Sequence, residues 1–383
     1  MSHRQCVTLE FRQAHQGFTI PERNDTQHSS VMMRDRRNGE DGAMPDILSV
    51  NGDVPGFVRG TRIQTDKGEQ PVETLEPGTG VVTASGRIRP ILWVGRRRLE
   101  PRRHPRPELI HPVRIRRGAA GNFLPRRDLL VSPSLTIGAG NITVGVWQLV
   151  NGATLASVAS PDPIEYVHIA LDSPDLLLAE GLPAESLHED RRAGFENGGT
   201  VMVLHPHLAW HPGATTPPEA MVQALRRRLL QRAHTLGHAI TRDPGLHLRA
   251  DGWPLSPVLV AGPMHRFALP AGVTDLRIVS RAGVPAEIDA VSQDRRRLGV
   301  MLERIALRGP QGEREIPPDD PVLSEGFHPH EQAEGRSWRW TDGHARLPGR
   351  VLAGMTWVDL YVAGSQSAWA GTAPPAAPVT RSA

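Results

Sequence analysis

The chain has 383 residues, 39% of them apolar and 22% charged, with 38 glycines, 35 prolines and only 4% aromatics. That length accommodates two or three domains with a real core, and the wealth of turn residues argues against a mainly helical protein. A formal net charge of +3, with Lys67 the only lysine, excludes a protein organised around nucleic-acid binding. The single cysteine, Cys6, excludes an intramolecular disulfide and a cysteine-based zinc site. No apolar run reaches the roughly 18 residues of a membrane span. The N-terminus "MSHRQCVTLEFRQAHQ" lacks the apolar core of a Sec-type signal peptide. A soluble chain is expected, cytoplasmic by default unless exported by another route.

Residues 1–52 are polar, charged and without periodicity, and read as a flexible tail. From 53 to 190 short runs of Val, Ile and Leu alternate with turn residues: "TRIQT", "GVVTA", "IRPILWVG", "HPVRIRRG", "DLLVSPSLTIG", "ITVGVWQLVNG" and "EYVHIALD". Many short strands at such spacing predict an all-β domain. The segment "TDKGEQPVETLEPG" fits a hairpin turning at Asp66 to Gly68, then a tight turn at Pro77-Gly78. The arginine-rich run "GRRRLEPRRHPRP" has no interleaved aromatics and reads as a solvated loop.

Residues 191–244 form a connector with one helix, "PPEAMVQALRRRLLQRAHTLGHAI", opened by Pro217-Pro218. Met221, Leu225, Leu229 and Leu236, with Ala224 and Ala233, give it an apolar face at helical spacing. Residues 245–363 return to quick strand–turn alternation, with a hairpin signal at Asp342-Gly343, and fit a β-sandwich. Residues 364–383, rich in Ala, Pro, Ser and Thr, are expected to be disordered.

The block "FVRGTRIQTDKGEQPVETLEPGTGVVTASG" resembles the opening of the Hint (hedgehog/intein) domain as found in bacterial proteins. "IRPILWVGRRRL", "HPVRIRRGAAGNFLPRRDLLVSPSL", "LVNGATL" and "EYVHIALDSPDLLLAEGLPAES" resemble its later blocks, in order and at natural spacing. The resemblance implies a fold that is mainly β: a Hint-type all-β domain, one linking helix, then a second β-sandwich-like domain. It also implies self-processing by an N–S acyl shift, in which a thiol attacks the carbonyl before it while a histidine moves the proton. Cleavage would fall between Pro55 and Gly56.

Three positions depart from that pattern. The family's cysteine aligns with Gly56, the histidine of its Ser-Pro-x-His block with Leu135, and a further histidine of its closing block with Pro174. None of the three carries a titratable or nucleophilic group. The polar remnants are Thr61, Ser132 and His168, and no residue is assigned a catalytic role. No His-Asn pair ends the domain, as splicing would need. The expectation is a Hint-domain protein that has lost self-processing and acts as a scaffold or binding protein. The alternatives are cleavage of Pro55–Gly56 by an N–S or N–O acyl shift, and carbohydrate or envelope binding through the C-terminal module.

In the C-terminal region "DRRRLGV … LSEGFHPHE … WRWTDG" resembles an accessory β module that follows some bacterial Hint domains. Trp338 and Trp340, two residues apart, would share one side of a strand and could stack on a sugar. They are the candidate ligand-binding residues, for a protein or polysaccharide partner. His205, His207 and His211 lack a cysteine or carboxylate to complete a zinc set. No cofactor or metal is expected.

Overall fold

The structure, a computed structural model, describes residues 55–186 and 217–371. The N-terminal tail with Cys6, the histidine run at 205–211 and residues 372–383 lie outside the described residues; residues 364–371, expected to be disordered, instead hold the end of one strand and a second, Ala368–Trp369, with Trp369 buried. The chain is mainly β. In order it forms β1 (Phe57–Val58), β2 (Arg62–Thr65), β3 (Gly68–Pro71), β4 (Gly80–Val82), β5 (Ile88–Leu99), β6 (Val113–Ile115), β7 (Leu129–Val131), β8 (Thr136–Ala139) and β9 (Ile142–Gly145). Then follow α1 (Val146–Leu149), β10 (Leu155–Ser157), β11 (Ile164–Leu171), β12 (Leu176–Ala179), β13 (Leu182–Glu185) and α2 (Glu219–Thr235). Next come β14 (Ile240–Thr241), β15 (His247–Ala250), β16 (Trp253–Leu255), β17 (Leu259–Ala261), β18 (Met264–Ala268), β19 (Asp275–Val279) and α3 (Pro285–Ile288). The last strands are β20 (Val300–Gly309), β21 (Gly312–Ile316), β22 (Phe327–Ala333), β23 (Arg336–Thr341), β24 (His344–Pro348), β25 (Trp357–Ser365) and β26 (Ala368–Trp369).

These elements fall into two compact units. Among the described residues the first comprises 55–111, 131–145 and 160–186; the second comprises 112–130, 146–159 and 217–371. The strands of the first unit run β1-β11-β5-β4-β2-β12-β13-β8-β9, with β3 paired to β2. The expected hairpin is there: Thr65 pairs with Gly68, whose φ of 101° is open to glycine without strain. Two carboxylates anchor the turn backbone, Glu73 accepting from the Gly60 amide at 2.8 Å and Glu180 from the Arg62 amide at 2.9 Å. Alternation along β2 and β4 buries one side, with Ile63 and Val81 fully buried, whereas β11 is buried on both sides, Val167 and Ile169 on one and Tyr166 and His168 on the other.

The second unit is built on two sheets, β16-β15-β19-β24 and β17-β18-β25-β20-β23-β22, with β21 paired to β20. Leu248, Leu276, Ile278 and Leu347 of the first sheet share one core with Phe267, Ile305, Leu307 and Leu360 of the second. This is a β-sandwich. The helix forms where the spacing predicts, and its buried stripe keeps Leu229 and Ala233 of the expected face but takes in Arg226 in place of the rest. Arg226, Leu229 and Ala233 are buried, whereas Met221 and Leu236 are exposed. The reason is Arg226, whose guanidinium donates to the carbonyls of Ala286, Asp289 (2.9 Å) and Ser292 (3.2 Å). A cation bound to carbonyls thus takes the place expected of a leucine. Nearby, Arg232 donates to the Gly118 carbonyl and Trp369 Nε1 to that of Asn151, so two chain segments distant in sequence belong to this unit. No helix among the described residues is long and apolar enough to cross a membrane.

One ion cluster of the sandwich has a pH consequence. Asp359 is fully buried and accepts from Arg266 Nε and Nη2, both at 2.7 Å, and from Arg308 Nε at 3.0 Å. The Arg266 hydrogen bonds, then those of Arg308, hold its carboxyl below the ordinary value of 3.8 against the opposing effect of burial. A depressed folded pKa stabilises the fold above the ordinary carboxylate range, and that contribution is lost as pH falls through the folded value. Asp359→Ala is expected to cost about 2–3 kcal/mol at pH 7, because it leaves Arg266 without its anion and Arg308 with Glu313 alone. It should also flatten the acid limb of stability below pH 3.8. Urea melts across pH measure both; an unchanged acid limb would contradict the assignment.

Candidate functional site

The first unit fixes one peptide unit, Pro55–Gly56, on all its polar sides. β1 is only two residues long, so it depends on its neighbours. Phe57 pairs with Val131 of β7 on one side and with Val167 of β11 on the other. That register brings Ser132, just after β7, and His168, within β11, to the preceding peptide. The Gly56 amide donates to Ser132 Oγ at 2.9 Å, and the Gly56 carbonyl accepts from the Ser132 amide at 2.9 Å. His168 Nδ1 lies 2.9 Å from the Pro55 carbonyl oxygen. A carbonyl only accepts, so Nδ1 carries the proton in this contact.

Both side chains are buried, Ser132 at 2% and His168 at 1% exposure, and the fully buried Phe57 ring lies 5.9 Å from the His168 imidazole. Low dielectric strengthens these contacts and makes losing any of them expensive. Ser132 Oγ also lies 3.3 Å from Ser134 Oγ. Leu135 is fully buried in the hydrophobic core, its amide held by the Ser132 carbonyl.

The space around Gly56 is filled. A Cβ built there would lie 3.0 Å from Tyr166 Cβ and 3.2 Å from the Val167 carbonyl oxygen. Tyr166 cannot easily retreat, since it is buried and its hydroxyl donates to the Ile110 carbonyl at 2.8 Å. Tyr166 is the residue of this site that sequence reasoning missed. In "EYVH" it stands two residues before His168, so alternation along β11 puts both on one face, but only the pairing of β1 with β11 brings that face to Gly56.

The remaining sequence candidates sit elsewhere. Thr61 is buried, but its hydroxyl donates to the Val58 carbonyl at 2.7 Å and closes a turn. Pro174 is exposed in a loop held by Arg89, which pairs with Asp172 at 3.1 Å and Asp175 at 3.0 Å. Trp338 and Trp340 lie in the second unit, half-buried and apart from its hydrophobic core. The structure therefore brings together Gly56, Ser132 and His168. No group of three or more His, Cys, Asp or Glu that could hold a metal occurs among the described residues.

Chemically, the arrangement polarises and positions a peptide. His168 donates to the carbonyl oxygen, where negative charge would develop on attack. Ser132 Oγ lies on the N–H side of the amide, hence near the peptide plane. A nucleophile must approach the carbonyl carbon from above that plane, so Ser132 is an acceptor here rather than an attacker.

A family model described as the Hint domain matches residues 55–191. Among solved structures, the gp41-1 intein is 13% identical, with a TM-score of 0.26, covering 34% of this chain and 98% of that one. A bacterial intein-like domain from Clostridium thermocellum is 12% identical, with a TM-score of 0.27 and coverages of 35% and 99%. The MchDnaB-1 intein is 10% identical, with a TM-score of 0.25 and coverages of 34% and 99%. No curated protein matches. Residues 55–191, which contain every group around the Pro55–Gly56 peptide, are a Hint domain.

Proposed function

We propose that this Hint domain keeps the Pro55–Gly56 bond intact, and that the chain works as a scaffold or binding protein rather than as a self-processing one. The observation that carries this reading is the filled space at Gly56. The residue in the nucleophile's place has no side chain, and a Cβ there would press on Tyr166 Cβ at 3.0 Å and the Val167 carbonyl oxygen at 3.2 Å, closer than ordinary van der Waals contact. Leu135, buried in the core, offers no proton to the departing amine. An acyl shift without nucleophile or general acid loses several orders of magnitude in rate.

One observation favours a second reading, cleavage at Pro55–Gly56: His168 still donates to the carbonyl oxygen. The two readings separate on the intact mass of the purified chain, incubated with and without dithiothreitol or hydroxylamine. A single full-length species under both conditions is expected. A fragment beginning at Gly56 would establish cleavage and overturn the scaffold reading.

The filled space makes its own prediction. Gly56→Ala should destabilise the domain by about 1–3 kcal/mol, the range for overpacking a close-packed site. Urea denaturation measures it, and a change below about 0.5 kcal/mol would mean that β1 yields freely and that a side chain fits. Ser132→Ala alone should cost about 1–3 kcal/mol, because it orphans the buried Gly56 amide.

A further inference from the structure

The large sheet of the sandwich has two unlike faces. One sends Phe267, Leu302, Ile305, Leu307, Val358 and Leu360 into the core. Side chains alternate along a strand, so the residues between them point to the other face. On β25 these are Trp357, Asp359 and Tyr361; on β20 they include Arg304 and Arg308. On β23 Thr341 is fully buried and its hydroxyl accepts from the core-facing Val300 amide, which leaves Trp340 and Trp338 to the outer face. Four aromatic rings thus lie on one outer sheet face.

The polar groups among them are held in place. Buried Asp359 orients Arg266 and Arg308 from below, Arg308 also pairs with Glu313 at 2.8 Å, and Arg304 pairs with Glu315 at 3.1 Å. The Arg304 guanidinium sits 3.9 Å from the Tyr361 ring centroid, and Trp338 Nε1 donates to Glu331 at 3.3 Å. A buried ion cluster contributes little stability compared with apolar residues of the same size. What it does supply is fixed donors and acceptors, which lower the entropy lost when a ligand binds.

Charge and shape select the ligand class. Each of these guanidiniums faces a carboxylate, so the face is close to neutral and does not suit a polyanion or an anionic membrane. On this face the large hydrophobic side chains that stand clear of their neighbours are Leu259 of β17, at 46% exposure, and Trp357, at 38%, and the ion-paired Arg266 and Asp359 lie in register with Leu259 on the next two strands. A protein-docking surface would carry a contiguous apolar patch of several hundred Å². Flat rings interspersed with rigid hydrogen-bonding groups fit sugar rings, whose C–H faces meet the negative face of an aromatic ring. Their hydroxyls meet the side-chain donors and acceptors.

We propose that this outer face binds a neutral polysaccharide, with Trp338, Trp340 and Trp357 as stacking rings, Tyr361 covered by Arg304, and the Asp359-held arginines donating to hydroxyls. The proposal rests on reading the chain as a binding protein, not on the state of the Pro55–Gly56 bond. The test is calorimetric titration of the full chain, its mass checked first. The neutral probes are cellohexaose, xylohexaose, mannohexaose and dextran; the anionic probes are polygalacturonate and heparin. At least one neutral glycan should bind, and Trp357→Ala and Trp338→Ala should each weaken it roughly tenfold or more, the scale of a lost aromatic anchor. Both variants should keep the parental melting temperature. Trp253→Ala, at an exposed tryptophan on the other sheet, should leave binding unchanged. Binding of no neutral glycan, binding of anionic glycans alone, or full affinity in Trp357→Ala and Trp338→Ala would each overturn the proposal. Glycan binding by a chain found cut at Gly56 would overturn the scaffold reading alone.

Discussion

A single peptide unit organises the Hint domain. Pro55–Gly56 has its carbonyl oxygen on His168 and its amide on Ser132, and the following carbonyl accepts from the Ser132 backbone. In water these hydrogen bonds would be worth little, but inside the domain each orphaned group would cost the full desolvation penalty. The clamp therefore sets where β1 lies, and β1 in turn joins β7 to β11 through Phe57. Tyr166 closes over the same point. A geometry that elsewhere could strain or polarise a peptide for attack here surrounds a glycine with no space beside it.

The same logic of satisfied polar groups runs through the second unit. Arg226 is buried against three carbonyls at the end of α3, and Asp359 lies buried beneath two arginines. Neither arrangement adds much stability for its size, but removing one partner leaves a charge without compensation. The apolar core between the two sheets supplies the driving force, and these charged clusters specify which side chains sit on the surface and how they are oriented.

Much of the fold was legible in the sequence because turn chemistry and alternation are local. Glycine and proline bracket the strands of the first unit where "TDKGEQPVETLEPG" says they should, and Thr65 and Gly68 close the hairpin. The Hint blocks pointed to Gly56, Leu135 and Pro174, with Thr61, Ser132 and His168 as remnants; of these, Ser132 and His168 meet the Pro55–Gly56 peptide, whereas Thr61 closes a turn and Pro174 lies in an exposed loop. What escaped was non-local. That Tyr166 fills the space at Gly56 depends on the β1–β11 register, which no spacing within either strand encodes. The helix period was right, yet the choice between Leu225 and Arg226 as the inward residue was made by the carbonyls of a distant segment. The units are also not linear along the chain: residues 112–130 and 146–159 fold with 217–371, which a scan for composition shifts cannot read. Trp338 and Trp340 were found by alternation, but their company of Trp357, Tyr361 and the Asp359 cluster comes from strand order.

If the Pro55–Gly56 peptide is a held structural bond, its amide should open only when the domain does. Native-state hydrogen exchange at the Gly56 amide tests this most directly. Protection equal to that of the central β5–β11 amides, falling in parallel with them in low denaturant, is the expected result. Exchange by local opening, at a rate within about tenfold of an unstructured amide and insensitive to denaturant, would contradict the clamp and the function built on it.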